Sequence, residues 1–136
     1  HVHHGERGLE PAHHLAGRPD HRAAMSDVLD YLLGRNPMGV SYISGHGALS
    51  MQAPHHRFWA ASLDPAFPPP PPGAVSGGPN SSAPADPVAQ EIAGRCAPQR
   101  CWKDDARAFS LNEVAINWNA PLVWAAAYLA EAGPRP

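Results

Sequence analysis

From Asp20 the chain reads DHRAAMSDVLDYLLGRNP, and its apolar residues Ala24, Met25, Val28, Leu29, Leu32 and Leu33 recur at intervals of three and four. Such spacing stacks them on one face, which predicts an amphipathic helix over about residues 20 to 34. Asp20 after Pro19 suits the N-cap, Gly34 or Asn36 the left-handed cap position, and Pro37 forbids continuation. The preceding GLEPAHHLAGRP reads as the end of another helix, broken by Pro11 and closed at Gly17.

A second pattern begins at Ser110. SLNEVAINWNAPLVWAAAYLA is apolar almost all round, which predicts a buried helix over about 110 to 131. Ser110 with Glu113 three residues on matches a capping box, Pro121 should kink the helix, and Gly133 and Pro134 should stop it. Asn112, Glu113, Asn117 and Asn119 crowd its first half, so that end must meet water or buried polar partners.

Between the two helical patterns no long periodicity survives. Residues 38 to 63 read as a long structured loop, with GVSYIS as a brief strand and SGHG as a turn. Residues 64 to 87, DPAFPPPPPGAVSGGPNSSAPADP, hold too much Pro, Gly and Ser for a helix or a sheet interior. Polyproline geometry is expected for Pro68 to Pro72, in a loop serving as a functional rim or a linker. No internal repeat is visible.

Composition narrows the function classes. The 136 residues carry ten Lys and Arg against twelve Asp and Glu, a net charge of -2 with no basic stripe, which argues against nucleic acid and anionic membranes as partners. The apolar run Ala120 to Ala130 contains Pro121 and falls short of the roughly 20 residues of a membrane span. The opening HVHHGERG shows no initiator Met or signal-peptide pattern, which points to a processed start or a fragment. Cys96 and Cys101 permit one short disulfide loop and no zinc site.

Three segments carry candidate chemistry. Glu113 is a helix cap on local pattern; beside Val114, Ile116 and Trp118 its carboxyl would also lose solvation, which suits a general acid. In WKDDARAF, Asp104 and Asp105 read as helix-dipole partners, solvated loop residues or calcium ligands without an EF-hand spacing, or as carboxyls sharing a site with Glu113. In APHHRFW the tandem histidines invite a metal, yet no further ligands recur at a useful spacing, and His-x-Arg equally offers two donors for sugar hydroxyls or a carboxylate. Trp59, Trp102, Trp118 and Tyr42 are candidate faces for stacking sugar rings, or ordinary core.

The segments YLLGRNPMGVSYISGHG, PHHR, GGPN and CWKDDARAFSLNEVAINWNAPLVW, in that order, resemble the C-terminal part of the catalytic domain of glycoside hydrolase family 9 cellulases. The likeness covers about residues 15 to 132, including the Pro/Gly-rich loop at 64 to 87. It leaves 1 to 14 as a poorly matching segment and 133 to 136 as a tail. The family's second signature is matched by Trp102, Asp104, Phe109, Glu113, Ala115, Asn119 and Ala120, and the end of its first by Pro54, His55 and Arg57.

By resemblance Glu113 is the general acid, Asp104 a supporting carboxylate, and His55, Arg57 and Trp118 bind substrate. The resemblance implies an all-α fold, the last two or three helices of an (α/α)6 barrel with long cleft loops, completed by the missing N-terminal part. It implies a secreted enzyme that inverts the anomeric centre while hydrolysing β-1,4-glucosidic bonds of cellulose or related glucans. It implies no required cofactor and leaves room for a structural calcium in the full enzyme. Leu49 and His46 depart from the first signature, and the paired-aspartate motif Asp-Ala-Gly-Asp, which supplies the base, does not occur in the chain. The fragment alone is therefore expected to be nearly inactive, and, with apolar helix faces that the ring would cover left exposed, either poorly soluble or oligomeric. The alternatives are a non-catalytic saccharide-binding or interaction fragment, a His-rich metal binder and an exo-acting glycosidase of the same family.

Overall fold

The computed structural model describes residues 19–82 and 84–132. The expected helix end before Pro19, the His-rich opening and the stop at Gly133 lie outside them.

Four helices occur among the described residues: α1 (Pro19–Leu32), α2 (Pro87–Ile92), α3 (Phe109–Asn112) and α4 (Ile116–Ala132). The first matches its periodicity. Met25 and Leu32 are buried, and Leu29, Tyr31 and Leu33 pack against the core. Asp20 lies inside α1 and is therefore not its N-cap. At the other end Gly34 takes a positive φ of 126°. Asn36 caps the helix through its side chain, donating from Nδ2 to the carbonyls of Tyr31 and Val40, both at 2.8 Å. Helix α2 was not evident from periodicity: six residues are too few to show a repeat. Its start is nonetheless well built, with Pro87 in the first turn and Asp86 accepting the Ala89 N–H at 2.7 Å.

The expected continuous helix over 110 to 131 is instead two helices, and the break falls on Glu113. There the backbone turns extended, with φ of -59° and ψ of 136° at the residue that ends α3. The capping box is absent as well: Ser110 lies within α3, and its hydroxyl donates to Asp86. Helix α4 is not buried. Leu122 and Ala125 face inward, whereas Ile116, Val123 and Trp124 are 88%, 68% and 37% exposed. Pro121 is accommodated inside α4.

Among the described helices, α1 and α4 touch each other over a small patch. Much of the core comes from loops: Tyr42, Ile43, Met51, Val75 and Trp102 join Leu32, Val88, Leu111 and Leu122 in one cluster. Nothing in the described residues forms a strand, GVSYIS included. Isolated bridges pair Ile43 with Val75, Ser76 with Val114, His55 with Glu113 and Ser41 with Ser50. The first three link up, so a single line of backbone pairing runs from the loop after α1, through the Pro/Gly-rich loop, to the Glu113 junction and the PHHR loop. Gly47 is required for the first loop to close, because a Cβ there would sit 2.7 Å from the Leu33 carbonyl oxygen.

The Pro/Gly-rich loop is thus no mere linker, since Val75 is wholly buried within it. Asn119 of α4 holds it much as a neighbouring strand would: Oδ1 accepts the Val75 N–H at 2.9 Å and Nδ2 donates to the Val75 carbonyl at 3.0 Å. Cys96 and Cys101 form a disulfide that closes the loop after α2, with Cα atoms 5.2 Å apart.

Candidate active site

Glu113 sits where the line of bridges meets the PHHR loop. Pro54 is buried, and His55 is pinned on both its backbone groups. Its N–H donates to Asn112 Oδ1, and its carbonyl accepts the Val114 N–H, each at 3.0 Å. Those partners flank Glu113 on either side, so the spacing between Glu113 and His55 is set by two directional bonds. The Glu113 carbonyl is engaged too, accepting the Gly77 N–H at 2.9 Å. The side chain remains exposed. The expected desolvation of this carboxyl by Val114, Ile116 and Trp118 is therefore not found: Ile116 points to solvent and the other two are only half-buried.

His55, His56, Arg57, Phe109, Glu113 and Val114 line one open cavity of about 500 Å³. The structure thus brings Glu113, His55 and Arg57 together. Trp118 lies in a neighbouring cavity of about 540 Å³, which shares Glu113 and also includes Tyr31, Gln99 and Asn80. Of the proposed stacking aromatics, Tyr42 and Trp102 are buried core rings 5.2 Å apart, leaving Trp59 and Trp118 as the ones a ligand can reach.

Asp104 is not on the cavity wall. Its two carboxylate oxygens accept the N–H groups of Gln52 and Ala53, both at 2.7 Å, and so anchor the chain just before Pro54 and His55. What it holds is the loop that carries His55. Asp105 pairs with Arg107, accepting from the guanidinium at 2.6 and 3.0 Å and from the Arg107 N–H at 2.9 Å. Those hydrogen bonds lower its pKa to about 2. Both aspartates are thus engaged by donors of the chain, and no cluster of three metal-ligating side chains exists among the described residues.

Residue type and spacing alone did not reveal two of the site's determinants. Asn112 is wholly buried and uses its entire amide: besides accepting from His55, Nδ2 donates to the carbonyls of Lys103 and Asp105, both at 2.8 Å. It ties the two signature segments together. Asp86, also wholly buried, fixes the start of α3 by accepting from the Ser110 N–H at 2.9 Å and from the Ser110 hydroxyl. Burial pushes its pKa up, but the hydrogen bonds from Ser110 and from the Ala89 and Val88 amides outweigh that, and the net shift is downward. An asparagine in an apolar run was a visible signal of buried polar partners; which partners it would meet depended on loops distant in sequence.

No helix among the described residues is long and apolar enough to cross a membrane. The family model for glycosyl hydrolase family 9 matches residues 8–126. A cellulose 1,4-beta-cellobiosidase of Acetivibrio thermocellus is 40% identical over 120 residues, covering 88% of this chain and 13% of that protein. Endoglucanase C of Cellulomonas fimi is 43% identical over 124 residues, covering 90% of this chain and 11% of the relative. Among solved structures, AaCel9A in complex with cellobiose-like isofagomine superposes with a TM-score of 0.68 at 35% identity, over 84% of this chain and 21% of the other. The chain thus spans about an eighth of the length of these two relatives and a fifth of the solved one. With a family model covering most of the chain, and His55, Arg57, Phe109 and Glu113 of the two signatures lining one cavity, the chain belongs to glycosyl hydrolase family 9.

Proposed function

We propose that this chain is the acid-bearing part of a secreted cellulase that hydrolyses β-1,4-glucosidic bonds of cellulose or a related glucan. The observation that carries this reading is the meeting of Glu113, His55 and Arg57 around one open cavity, with Glu113 and His55 held in register by backbone bonds. Its relatives include an endoglucanase and a cellobiosidase, and the related solved structure holds a cellobiose-like isofagomine.

In this reading the Glu113 carboxyl gives its proton to the glycosidic oxygen as the bond to the anomeric carbon breaks. Water attacks the opposite face of that carbon, yielding the inverted sugar. His55 and Arg57 hold the glucose units beside the scissile bond, and Trp118 offers a flat face next to the acid. Inversion needs a base about 6.5 to 9.5 Å from the acid, with water between. The family's paired-aspartate motif would supply it, and no Asp-Ala-Gly-Asp stands in these residues. The two long helices are then part of an (α/α)6 barrel, whose other helices would cover α4. No cofactor enters the chemistry.

Reducing-sugar release from carboxymethylcellulose tests the reading, comparing this chain with a form extended upstream to the length of its relatives. The extended form should be active and the 136-residue chain nearly inert. In the extended form, Glu113→Gln should lower turnover at least a hundredfold while oligosaccharide binding persists. Turnover that survives that change would show that Glu113 is not the acid.

A second reading, exo action, has the cellobiosidase relative in its favour. Product profiles from cellohexaose decide between the two: cellobiose with matching cellotetraose and no cellotriose at early times indicates exo action, a spread of lengths that includes cellotriose endo action.

A further inference from the structure

His55 and His56 are neighbours, yet their rings are fixed in opposite senses. His55 Nδ1 lies 2.7 Å from the Ala106 carbonyl oxygen. A carbonyl can only accept, so Nδ1 carries the hydrogen and the neutral ring leaves Nε2 as an acceptor. His56 Nδ1 instead lies 3.2 Å from the backbone nitrogens of both Phe58 and Trp59. Those N–H groups can only donate, so Nδ1 is bare and the hydrogen sits on Nε2. The His56 ring is further held by stacking on Trp59, with centroids 4.0 Å apart and planes 21° from parallel.

Both rings line the cavity that holds Glu113, and His56 also lines a second cavity of about 530 Å³ formed with Trp59, Pro71, Pro72 and Asn119. The ring and glycosidic oxygens of a saccharide can only accept hydrogen bonds, while its hydroxyls both donate and accept. His55 supplies an acceptor, so recognition of the ether oxygens falls to donors. Besides the Arg57 guanidinium, the imidazole donor on this wall is His56. In the His-x-Arg pattern His56 fills the position open to any residue, so the resemblance assigns it no role.

We propose that His56 is a further saccharide-binding residue, a fixed Nε2–H donor to an acceptor oxygen of the glucan, complementary to the acceptor Nε2 of His55. The proposal rests on the reading of this cavity as a glucan site. Its two roles, capping the turn through Nδ1 and donating through Nε2, separate cleanly by substitution. His56→Asn keeps an acceptor at the Nδ1 position for the Phe58 and Trp59 amides and loses the distal donor; His56→Gln keeps a distal N–H donor and loses the turn acceptor.

The test has two arms. Nitrogen-15 spectra of the histidine side chains in the 136-residue chain, assigned with single His variants, should show Nδ1 protonated in His55 and Nε2 protonated in His56. Finding both rings in the same tautomer overturns the proposal. Calorimetry with cellotetraose is done in the extended form carrying Glu113→Gln to prevent hydrolysis. There His56→Asn should weaken binding about threefold to tenfold with little change in melting temperature, and His56→Gln should bind more tightly than His56→Asn although it melts earlier. Parental affinity in the Asn variant, or weaker binding by Gln than by Asn, means the ring only caps a turn. The parallel controls His55→Ala and Arg57→Ala separate the two failures. If they too leave affinity unchanged, the reading of the cavity fails; if they weaken binding while His56→Asn does not, only the role given to His56 fails.

Discussion

Residues 109–115 and residues 116–132 adjoin in the chain, and each packs apolar side chains into the same core, but they are held in place by different forces. The first segment is fixed by directional bonds to two distant loops and to the segment just before it: Asp86 and Gly77 of the Pro/Gly-rich loop bond to Ser110 and Glu113, His55 bonds to Asn112 and Val114, and Asn112 donates to Lys103 and Asp105. The second is a regular helix seated by Leu122, Ala125 and Asn119, with Ile116, Val123 and Trp124 turned outward. Burial is non-directional and tolerates small shifts; the proton donor proposed at Glu113 has to be held within about 0.5 Å of its working position. The polar bonds are concentrated where that placement matters, and the helix behind them presents a face with room for further structure.

The sharpest way to break this contrast is Asn112→Ala. The change leaves the His55 N–H and the Lys103 and Asp105 carbonyls without their partner around a side chain that is itself wholly buried. At about 1 kcal/mol or more for each stranded group, the loss should come to about 3 kcal/mol in urea unfolding. A loss below about 1 kcal/mol would mean that the junction is held by packing after all. Asn119→Ala should cost less, about 1 to 2 kcal/mol, because Asn119 is half-buried and water can replace it. Its local signature is faster hydrogen exchange at the Val75 N–H, the amide that Asn119 accepts. Unchanged exchange there would detach the Pro/Gly-rich loop from α4.

Acid offers a finer probe of the polar side. Asp105 has its pKa lowered from 3.8 to about 2, chiefly by the Arg107 side chain, so its contribution is complete above pH 4 and vanishes as pH falls to about 2. Arg107 is largely exposed, and screening by solvent keeps the contribution small. Asp105→Asn keeps an acceptor for the Arg107 N–H and removes the charge. The variant should be less stable than the parent at pH 5 and equal to it at pH 2. A difference that persists at pH 2 would assign the effect to geometry, not charge.

How far the sequence disclosed this molecule varies by segment. Helix α1 was legible because its apolar face repeats over four turns, and its end because Gly34, Asn36 and Pro37 punctuate it. The cavity residues Glu113, His55 and Arg57 were legible through signature order, not through local physics. Locally Glu113 read as the partner of Ser110, and both residues turned out to be committed elsewhere, Ser110 to Asp86 and the Glu113 backbone to Gly77. The break between α3 and α4 was invisible because helix periodicity records which faces are apolar; it cannot register a backbone bridge to a loop more than fifty residues away. The role of Asp104 shifted for the same reason: its partners, the Gln52 and Ala53 amides, are set by tertiary structure alone.

The smallest expected change in folding stability belongs to the outer face of α4. Ile116→Lys with Val123→Lys removes apolar surface that already faces solvent, so urea unfolding should shift by no more than about 0.5 kcal/mol. If the face is unpartnered in the isolated chain, the same pair of changes should raise the monomer fraction in sedimentation velocity, since exposed apolar patches of this kind drive association. In the extended form, where barrel helices would cover α4, two buried lysines without partners should cost several kcal/mol and lower turnover with it. A large destabilisation of the isolated chain would show that these residues are already packed. Tolerance in both forms would mean that this face stays open to solvent in the longer enzyme, and that the likeness to the barrel ends at the junction.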